Sequence, residues 1–254
     1  MISTRCLCGQ CALLLADSQP IYSQFCGCQD CLHALQWAAS KGGPLPQKLP
    51  QLLYLRSDII NVEGKQHMKP YRFDMSGQTT RVHCNDCFSL MGCDHPGYKD
   101  NVFSVFLNHC EIEHAFQTKA MAAINMSSYS SKEPAEIPSD IPVFYSFEYR
   151  QEAYRFWSIP AVKKAFSPPE KLATGQSFRE LLNELGEVKP MENRAVHIKG
   201  EDQAHAMNQY ALLKVVKRVN NTTGKTDTEV DMIPLGGFYK FRKPAINRGQ
   251  TLEL

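Results

Sequence analysis

Apolar residues recur in short runs, separated by turn-forming residues, through roughly the first 149 positions of the chain. Several of these runs alternate apolar and polar residues, which is typical of half-buried strands. Strands are predicted in six places: residues 1 to about 30, as strand, turn and strand, and residues 52–55, 59–62, 71–75, 79–83 and 102–107. The second and third of these places could equally be one strand and a turn. The fourth and fifth form a hairpin that leads directly to Cys84.

One segment between these strands has no decisive period. Residues 32–39 suit a short helix or a buried strand, and the spacing of their apolar residues does not separate the two. The sequence therefore leaves open whether this segment is a helix or a strand.

The pattern changes at about residue 150, where helical signals begin. Residues 177–180 form a capping box, leucines at 181, 182 and 185 supply an apolar face, and Gly186 suits the end of a helix. Residues 207–219 have a helical spacing but could equally form a hairpin with residues 229–233, which we favour. We predict two parts, 1–149 and 150–254, the second a mixed α+β extension of unknown fold.

Seven cysteines stand in three short hooks, with the patterns C-x-C, C-x-C-x-x-C and C-x-x-C. They are Cys6, Cys8, Cys26, Cys28, Cys31, Cys84 and Cys87. Hooks of this kind aim thiolates at one point and are typical of tetrahedral metal sites. Seven is one short of two four-thiolate sites, so the simplest arrangement is one closed site and one three-thiolate site with an open position, where chemistry takes place.

Composition supports metal binding rather than disulfides. The chain has 254 residues, 43% of them hydrophobic and 21% charged, with a net charge of +2 and ten cysteines. We find no signal-peptide pattern, and the apolar run at residues 12–16 is too short to cross a membrane, so we expect a reducing, cytoplasmic location and no membrane partner. The small net charge gives no field that steers acidic substrates.

The order and spacing of the hooks resemble those of the glutathione-dependent formaldehyde-activating enzymes, also called the centromere-protein-V domain family (GFA/CENP-V). The matching segments are C-L-C-G at residues 6–9, C-G-C-Q-D-C at 26–31 and C-N-D-C at 84–87, together with the glycine turn that precedes Cys84. The resemblance covers roughly residues 3–147.

This resemblance implies a mainly β fold of antiparallel strands, the zinc-binding β-tent, around two zinc ions. The four cysteines Cys6, Cys8, Cys84 and Cys87 would hold a structural zinc. The second zinc would lie at Cys26, Cys28 and Cys31, open to water or a substrate sulfur. The implied activity is that of a carbon–sulfur lyase similar to S-(hydroxymethyl)glutathione synthase, which acts on a small-molecule thiol or thiol adduct.

The chain departs from the family pattern at three positions beside the ligands: Gly27 replaces a histidine, Leu32 an arginine, and Phe88 a glycine. The departures favour a rival interpretation, in which both zinc ions are structural and the protein is a non-catalytic interaction module. The odd number of hook cysteines favours the interpretation as an enzyme.

Three thiolates leave a zinc site with a formal charge of −1, which favours a soft fourth ligand such as a thiolate. We therefore predict carbon–sulfur bond chemistry at Cys26, Cys28 and Cys31, with glutathione as the first candidate thiol. His33 is a candidate catalytic group, or a fourth ligand that closes the site. Cys11, Cys93, Cys110, His83 and His95 are further candidates for closing it. Asp30 is a candidate acid or base, with Tyr71 and Arg72 as alternatives, and each also has an ordinary structural interpretation.

Residues 237–244 mix basic and aromatic side chains. Such a stretch suits nucleic acid, but it is more often an edge strand or an oligomer contact. We expect no nucleic-acid partner and regard a homodimer as possible.

Overall fold

The computed structural model describes residues 1–73, 77–113, 119–129 and 136–191, and the backbone of two further strands at 213–219 and 226–232. The protein is mainly β, as predicted. Its strands are, in chain order, β1 (Ile2–Cys6), β2 (Ala12–Leu15), β3 (Tyr22–Cys26), β4 (Gln51–Arg56), β5 (Ile59–Glu63), β6 (Met68–Arg72), β7 (Thr80–Cys84), β8 (Leu90–Asp94), β9 (Val102–Phe106), β10 (Cys110–Glu113), β11 (Ala123–Ile124), β12 (Lys189–Pro190), β13 (Leu213–Val219) and β14 (Thr226–Met232). The described helices are α1 (Gln29–Ser40), α2 (Arg150–Trp157), α3 (Pro160–Ala165) and α4 (Phe178–Glu184).

The strands form two large sheets and a separate hairpin. The smaller sheet has the order β10-β1-β2-β5, and the larger has the order β11-β3-β4-β9-β8-β7-β6-β12. Neighbours in both sheets are antiparallel, except for the two end strands β11 and β12 of the larger sheet, which run parallel to β3 and β6. The prediction of mostly antiparallel strands is confirmed.

The larger sheet lies between two hydrophobic cores, because successive residues of a strand point to opposite faces. Leu53 and Leu55 of β4 pack with the smaller sheet and α4, whereas Leu52 and Tyr54 pack with α1, α2 and α3. Both faces of this sheet are therefore covered, which explains why β7, β8 and β9 are buried along their whole length.

The segment that the sequence left open between helix and strand is the helix α1. Its N-cap is Cys28, whose sulfur accepts a hydrogen bond from the N–H of Cys31. Every residue from Cys31 to Ala38 is buried, so the helix lies inside the protein with apolar contacts all round. This all-round burial removes the amphipathic period that sequence analysis needs to recognise a helix.

The helices after residue 150 pack against the sheets. Phe156 and Val162 belong to the same core as α1, and Phe178 of α4 stacks on Phe103 of β9 with ring centroids 4.5 Å apart. Residues 150–191 therefore share both cores with the strands that precede them, although the helices begin at residue 150 as the pattern predicts.

Three local predictions for the C-terminal part are confirmed. The capping box at Ser177 and Glu180 is present, and Gly186 has the positive φ of +90° that suits the end of a helix. The strands β13 and β14 form the favoured antiparallel hairpin. Residues 237–244 lie outside the described residues.

The predicted strands need correction in two respects. The strand expected at residues 71–75 is β6, Met68–Arg72, which begins and ends three residues earlier because it pairs with β7 from Met68 onward. The strands β8 and β10 were not predicted, since their residues are short runs that include cysteine, glycine and charged side chains.

Asp58 anchors the loop that leads into α4. Its carboxylate, 5% exposed, accepts hydrogen bonds from the N–H groups of Thr174 and Gly175 at 2.9 and 2.7 Å. Burial acts to raise its pKa, but these bonds and the charge of Arg56 lower the pKa below the ordinary value.

We expect Asp58→Asn to lower the free energy of unfolding at pH 7 by about 1–2 kcal/mol, because a hydrogen bond to a charged acceptor is stronger than one to an amide. A lowered pKa in the folded state stabilises the protein above the ordinary carboxyl pKa, and this stabilisation disappears as the pH falls through the lowered value. Urea denaturation of both proteins at several pH values measures the difference, which should shrink below about pH 4. A difference that stayed constant down to pH 2 would contradict this role of the carboxylate.

Candidate metal centres

Four cysteines from two distant hooks come together between the two sheets. Cys6 ends β1 and Cys84 ends β7, and each is followed by a tight turn that carries the second ligand, Cys8 or Cys87. The four sulfur atoms all lie within 4.8 Å of one another, with 3.5 Å between Cys6 and Cys8 and 3.7 Å between Cys8 and Cys84. Four sulfurs around tetrahedral zinc are about 3.8 Å apart. The group therefore fits a metal ion.

The two turns have the same backbone plan. The N–H of Cys6 donates to the carbonyl of Cys11 at 2.9 Å, and the N–H of Cys84 donates to the carbonyl of Ser89, also five residues on, at 2.9 Å. Gly9 has a φ of +77°, which glycine adopts easily. Backbone N–H groups are thereby turned toward the sulfurs, as in the bond of 3.1 Å from the N–H of Cys11 to the sulfur of Cys6.

Cys87 shows the effect of such bonds on a thiol. Burial acts to raise its pKa, but the hydroxyl and N–H of Ser89 and the N–H of Cys8 donate to its sulfur and lower the pKa to about 7. The hydroxyl of Ser89 lies 3.2 Å from this sulfur. The turn thus favours the thiolate that a metal ion requires.

Phe88 occupies the position at which the second turn needs a left-handed backbone. Its φ is +52°, which an L-residue other than glycine adopts at a cost of about 1–2 kcal/mol. Its ring stacks on His83 at 5.5 Å and meets the edge of Trp37 at 5.8 Å. The ring thus packs against α1 and β7, and these contacts offset the backbone strain of the turn.

We expect Phe88→Ala to destabilise the protein by about 1 kcal/mol more than Phe88→Gly, because both lose the ring contacts but only glycine relieves the backbone. Urea denaturation at neutral pH measures the two free energies of unfolding. Equal values would mean that the turn does not need the left-handed conformation.

The second group consists of Cys26, Cys28 and Cys31. Cys26 ends β3, Cys28 is the N-cap of α1 and Cys31 lies in the first turn of this helix. Their sulfurs also lie within 4.8 Å of one another, with 3.2 Å between Cys26 and Cys28. The strand end and the helix start therefore place three ligands on one point, and the group fits a metal ion.

The group favours negative charge at Cys26. Hydrogen bonds from the thiols of Cys28 and Cys31 hold the pKa of Cys26 well below its ordinary value, and the amide of Asn125 lies 3.8 Å from the same sulfur. The same bonds raise the pKa of Cys28 to about 12 and also raise the pKa of Cys31. One thiolate thus forms readily, whereas three thiolates need a cation, and the start of a helix adds a partial positive charge.

A short segment containing the 3-10 turn Met126–Ser128 lies against this hook. A Cβ placed on Gly27 would come within 2.8 Å of the Cβ of Tyr129 and 3.0 Å of the carbonyl of Asn125. The side chain of Gln29 also donates to the carbonyl of Ser128 at 2.5 Å. Gly27 is therefore the residue that lets this segment approach the hook.

His33 does not join the three sulfurs. It follows Cys31 by two residues and so lies about 200° further round the helix, where its fully buried ring stacks on Phe73 at 4.9 Å. Asp30, in the first turn of α1, is partly exposed, and its charge acts on Arg81.

The other candidates also lie elsewhere. Cys11 and Cys110 are near the four-cysteine group, where the charge of Cys6 acts on both thiols. Cys93 lies 2.8 Å from the hydroxyl of Ser104, and His95 accepts a hydrogen bond from the N–H of Gly97. Among the described residues, no histidine, carboxylate or further cysteine completes the three-sulfur group.

Two neighbours of the ligands were not predicted as such. Asn125 approaches Cys26 from 99 positions away, and the hydroxyl of Ser89, just before β8, lies beside the sulfur of Cys87. The sequence carries no signal for Asn125, whereas Ser89 follows a hook by two residues, and serine close to a ligand is a common donor to its sulfur.

No protein-family model matches the chain, and no curated protein matches it. The resemblance of the hooks to the GFA/CENP-V family therefore stays a prediction. Within the described residues, none of the helices has the length and apolar character needed to span a lipid bilayer.

Proposed function

We propose that the protein is a zinc-dependent enzyme of carbon–sulfur bond chemistry, which joins a small-molecule thiol such as glutathione to a carbonyl carbon or reverses that reaction. The single observation that carries this proposal is the inequality of the two groups, four sulfurs in one and three in the other. A β-tent fold, as in the GFA/CENP-V family, is part of the same proposal.

Cys26, Cys28 and Cys31 would hold the second zinc, and their geometry fits it. When bound there, zinc supplies a position for a thiol sulfur and lowers the pKa of that thiol. In the addition, the sulfur bonds to the carbonyl carbon, the π electron pair moves to oxygen, and oxygen takes up the proton that the thiol loses. Electrons balance without an oxidant.

The chain's own residues must then stabilise the oxygen and supply its proton. Of the candidates, Tyr71 has a buried hydroxyl, and the charge of Cys31 acts on it. Burial raises the pKa of this phenol, so it stays protonated at neutral pH and donates rather than accepts. Arg72 donates to the hydroxyl of Thr80 at 2.8 Å and is engaged in the sheet.

The rival is a non-catalytic zinc-binding interaction module, and one observation favours it. The segment at residues 125–129 packs tightly over Gly27 and so covers one side of the three-cysteine hook. The two functions differ in one respect, because only the enzyme needs a ligand on the second metal that can exchange.

Two zinc ions per chain are expected by elemental analysis of protein purified without a chelator. In the cobalt-loaded protein, an added thiol should change the visible absorption, since it enters the coordination of one of the two ions. One metal per chain, or a spectrum that does not respond to any thiol, would favour the interaction module.

A further inference from the structure

Six polar side chains stand directly opposite one another across six neighbouring strands of the larger sheet. The pairs that connect them are Tyr22 with Tyr54, Tyr54 with Ser104, Ser104 with Cys93, Cys93 with Arg81, and Arg81 with Tyr71. Residues opposite each other lie on the same face of a sheet, so these six form one line, which we name the polar row. At the usual spacing of strands it is about 24 Å long.

The polar row is buried. The exposed fraction of its members lies between 1% for Ser104 and 6% for Cys93, and Arg81 is 4% exposed. The opposite face of the same strands carries aliphatic residues such as Leu53 and Val105. A buried sheet face normally carries apolar side chains, so a continuous polar line through it needs a reason.

Across the described part of the chain, side-chain hydrogen bonds are found only for the middle members of the polar row. The hydroxyl of Tyr54 accepts from the amide of Gln24 at 2.7 Å, and Ser104 lies 2.8 Å from Cys93. Among the described residues, the hydroxyls of Tyr22 and Tyr71 and the Nε of Arg81 have no hydrogen-bond partner. Three buried polar atoms without a partner in one line call for a water, an ion or a ligand.

The row runs beside the three-cysteine group. Cys26 lies on the same strand and the same face as Tyr22, and its charge acts on Tyr22 and Tyr54. At the other end, the charge of Cys31 acts on Tyr71 and Arg81. The cysteine group and the tyrosines of the row therefore belong to one core between α1 and the sheet.

Arg81 is the one cation of the row. Its guanidinium stacks over the ring of Phe73, 4.2 Å from the ring centroid, and forms no ion pair with a described carboxylate. Burial acts to lower the pKa of Arg81, but its acidic neighbours, among them the carboxylate of Asp30, raise it, so Arg81 stays charged. A planar guanidinium held by stacking suits a carboxylate, which it binds through two parallel hydrogen bonds.

We propose that the end of the polar row at Arg81 and Tyr71 is the binding surface for a small molecule that carries a carboxylate, which pairs with Arg81 while the phenol of Tyr71 donates a hydrogen bond to another of its oxygen atoms. The sulfur-reactive end of this molecule then lies at Cys26, Cys28 and Cys31, a placement that rests on the proposed function. The carboxylate site itself does not depend on it.

The test is isothermal titration of the zinc-loaded full chain with four probes: 3-mercaptopropionate, its amide, mercaptoacetate and propionate. The acid should bind roughly tenfold more tightly than its isosteric amide. Arg81→Met, which keeps the volume and removes the charge, should remove this preference and leave the affinity for the amide unchanged. Arg81→Lys should restore only part of it, since an ammonium lacks the planar fork.

Tyr71→Phe provides an independent readout if Arg81→Met does not fold. Its hydroxyl has no hydrogen-bond partner among the residues that the structure describes, so its loss should leave the melting temperature unchanged or raised while the affinity for 3-mercaptopropionate falls several-fold. A structural hydroxyl would do the opposite.

Equal affinity for acid and amide in the wild type would overturn the proposal. So would an Arg81→Met variant that loses affinity for both equally, because Arg81 would then only balance the charge of the three thiolates. If neither thiol probe binds better than propionate, but propionate still requires Arg81, the carboxylate site stands and the open metal position fails.

Discussion

Replacing Cys84 with serine is expected to remove one zinc per chain and to abolish cooperative folding. Cys84 ends β7 in the middle of the larger sheet and supplies one of four sulfurs that join this sheet to the turn after β1. Binding of structural zinc supplies about 10–16 kcal/mol in small zinc domains, which is as large as the whole stability of a typical domain, about 5–15 kcal/mol. Elemental analysis and circular dichroism during thermal unfolding measure both effects.

Cys110→Ser is the matched control for this substitution. Its thiol is buried and close to the same group, but it donates to the carbonyl of Leu90 at 3.3 Å, a bond that serine can also make. This variant should keep both metals and a cooperative transition. A Cys84→Ser protein that keeps two zinc ions and melts like the wild type would refute the four-cysteine site.

Cys28→Ser should remove the second zinc and lower the rate of thiol-adduct formation by at least about 100-fold, while the fold persists. Cys28 is both a candidate metal ligand and the N-cap of α1, where its sulfur accepts a hydrogen bond from the N–H of Cys31. Serine is among the best N-cap residues, so it keeps the helix start but is a poor ligand for zinc. The substitution thus separates metal binding from helix stability.

The measurement is adduct formation from glutathione and formaldehyde, followed by nuclear magnetic resonance, together with the zinc content and melting temperature. Cys110→Ser again serves as control, since it lies outside both groups of sulfurs. An unchanged rate in Cys28→Ser would show that the three-cysteine group takes no part in this chemistry. Loss of folding would show that the second metal is structural, as in the rival interpretation.

Local signals in the sequence predicted local structure well. The sequence predicted the capping box at Ser177, the helix end at Gly186 and most strands of residues 1–113. These elements are determined by turn residues and by alternating apolar and polar positions, which lie within a few residues of each element. The sequence left α1 ambiguous and did not predict β8. Both elements are buried on all sides, so their polar and apolar positions show no periodic contrast.

Spacing predicted that each hook brings its own sulfurs together, whereas the grouping of Cys6 and Cys8 with Cys84 and Cys87 was implied by the resemblance to the GFA/CENP-V family. The positions of Asn125 and Arg81 beside the three-cysteine group were not predictable. Each comes from a remote part of the chain, and the order of the strands in the sheet brings it there. The polar row in particular appears only when the register of five strand pairs is known.

The distance along the chain between the two hooks of the four-cysteine group has a consequence for biosynthesis. Cys8 and Cys84 are separated by 76 positions, and β1 finds its second neighbour, β10, only at residues 110–113. At about 5–20 residues per second, a ribosome needs several seconds to add that length. During this interval Cys6 and Cys8 are the only two of the four candidate ligands that have been made. If the four-cysteine group holds zinc, we expect the nascent chain to be most sensitive to oxidation and to zinc shortage before Cys84 and Cys87 emerge.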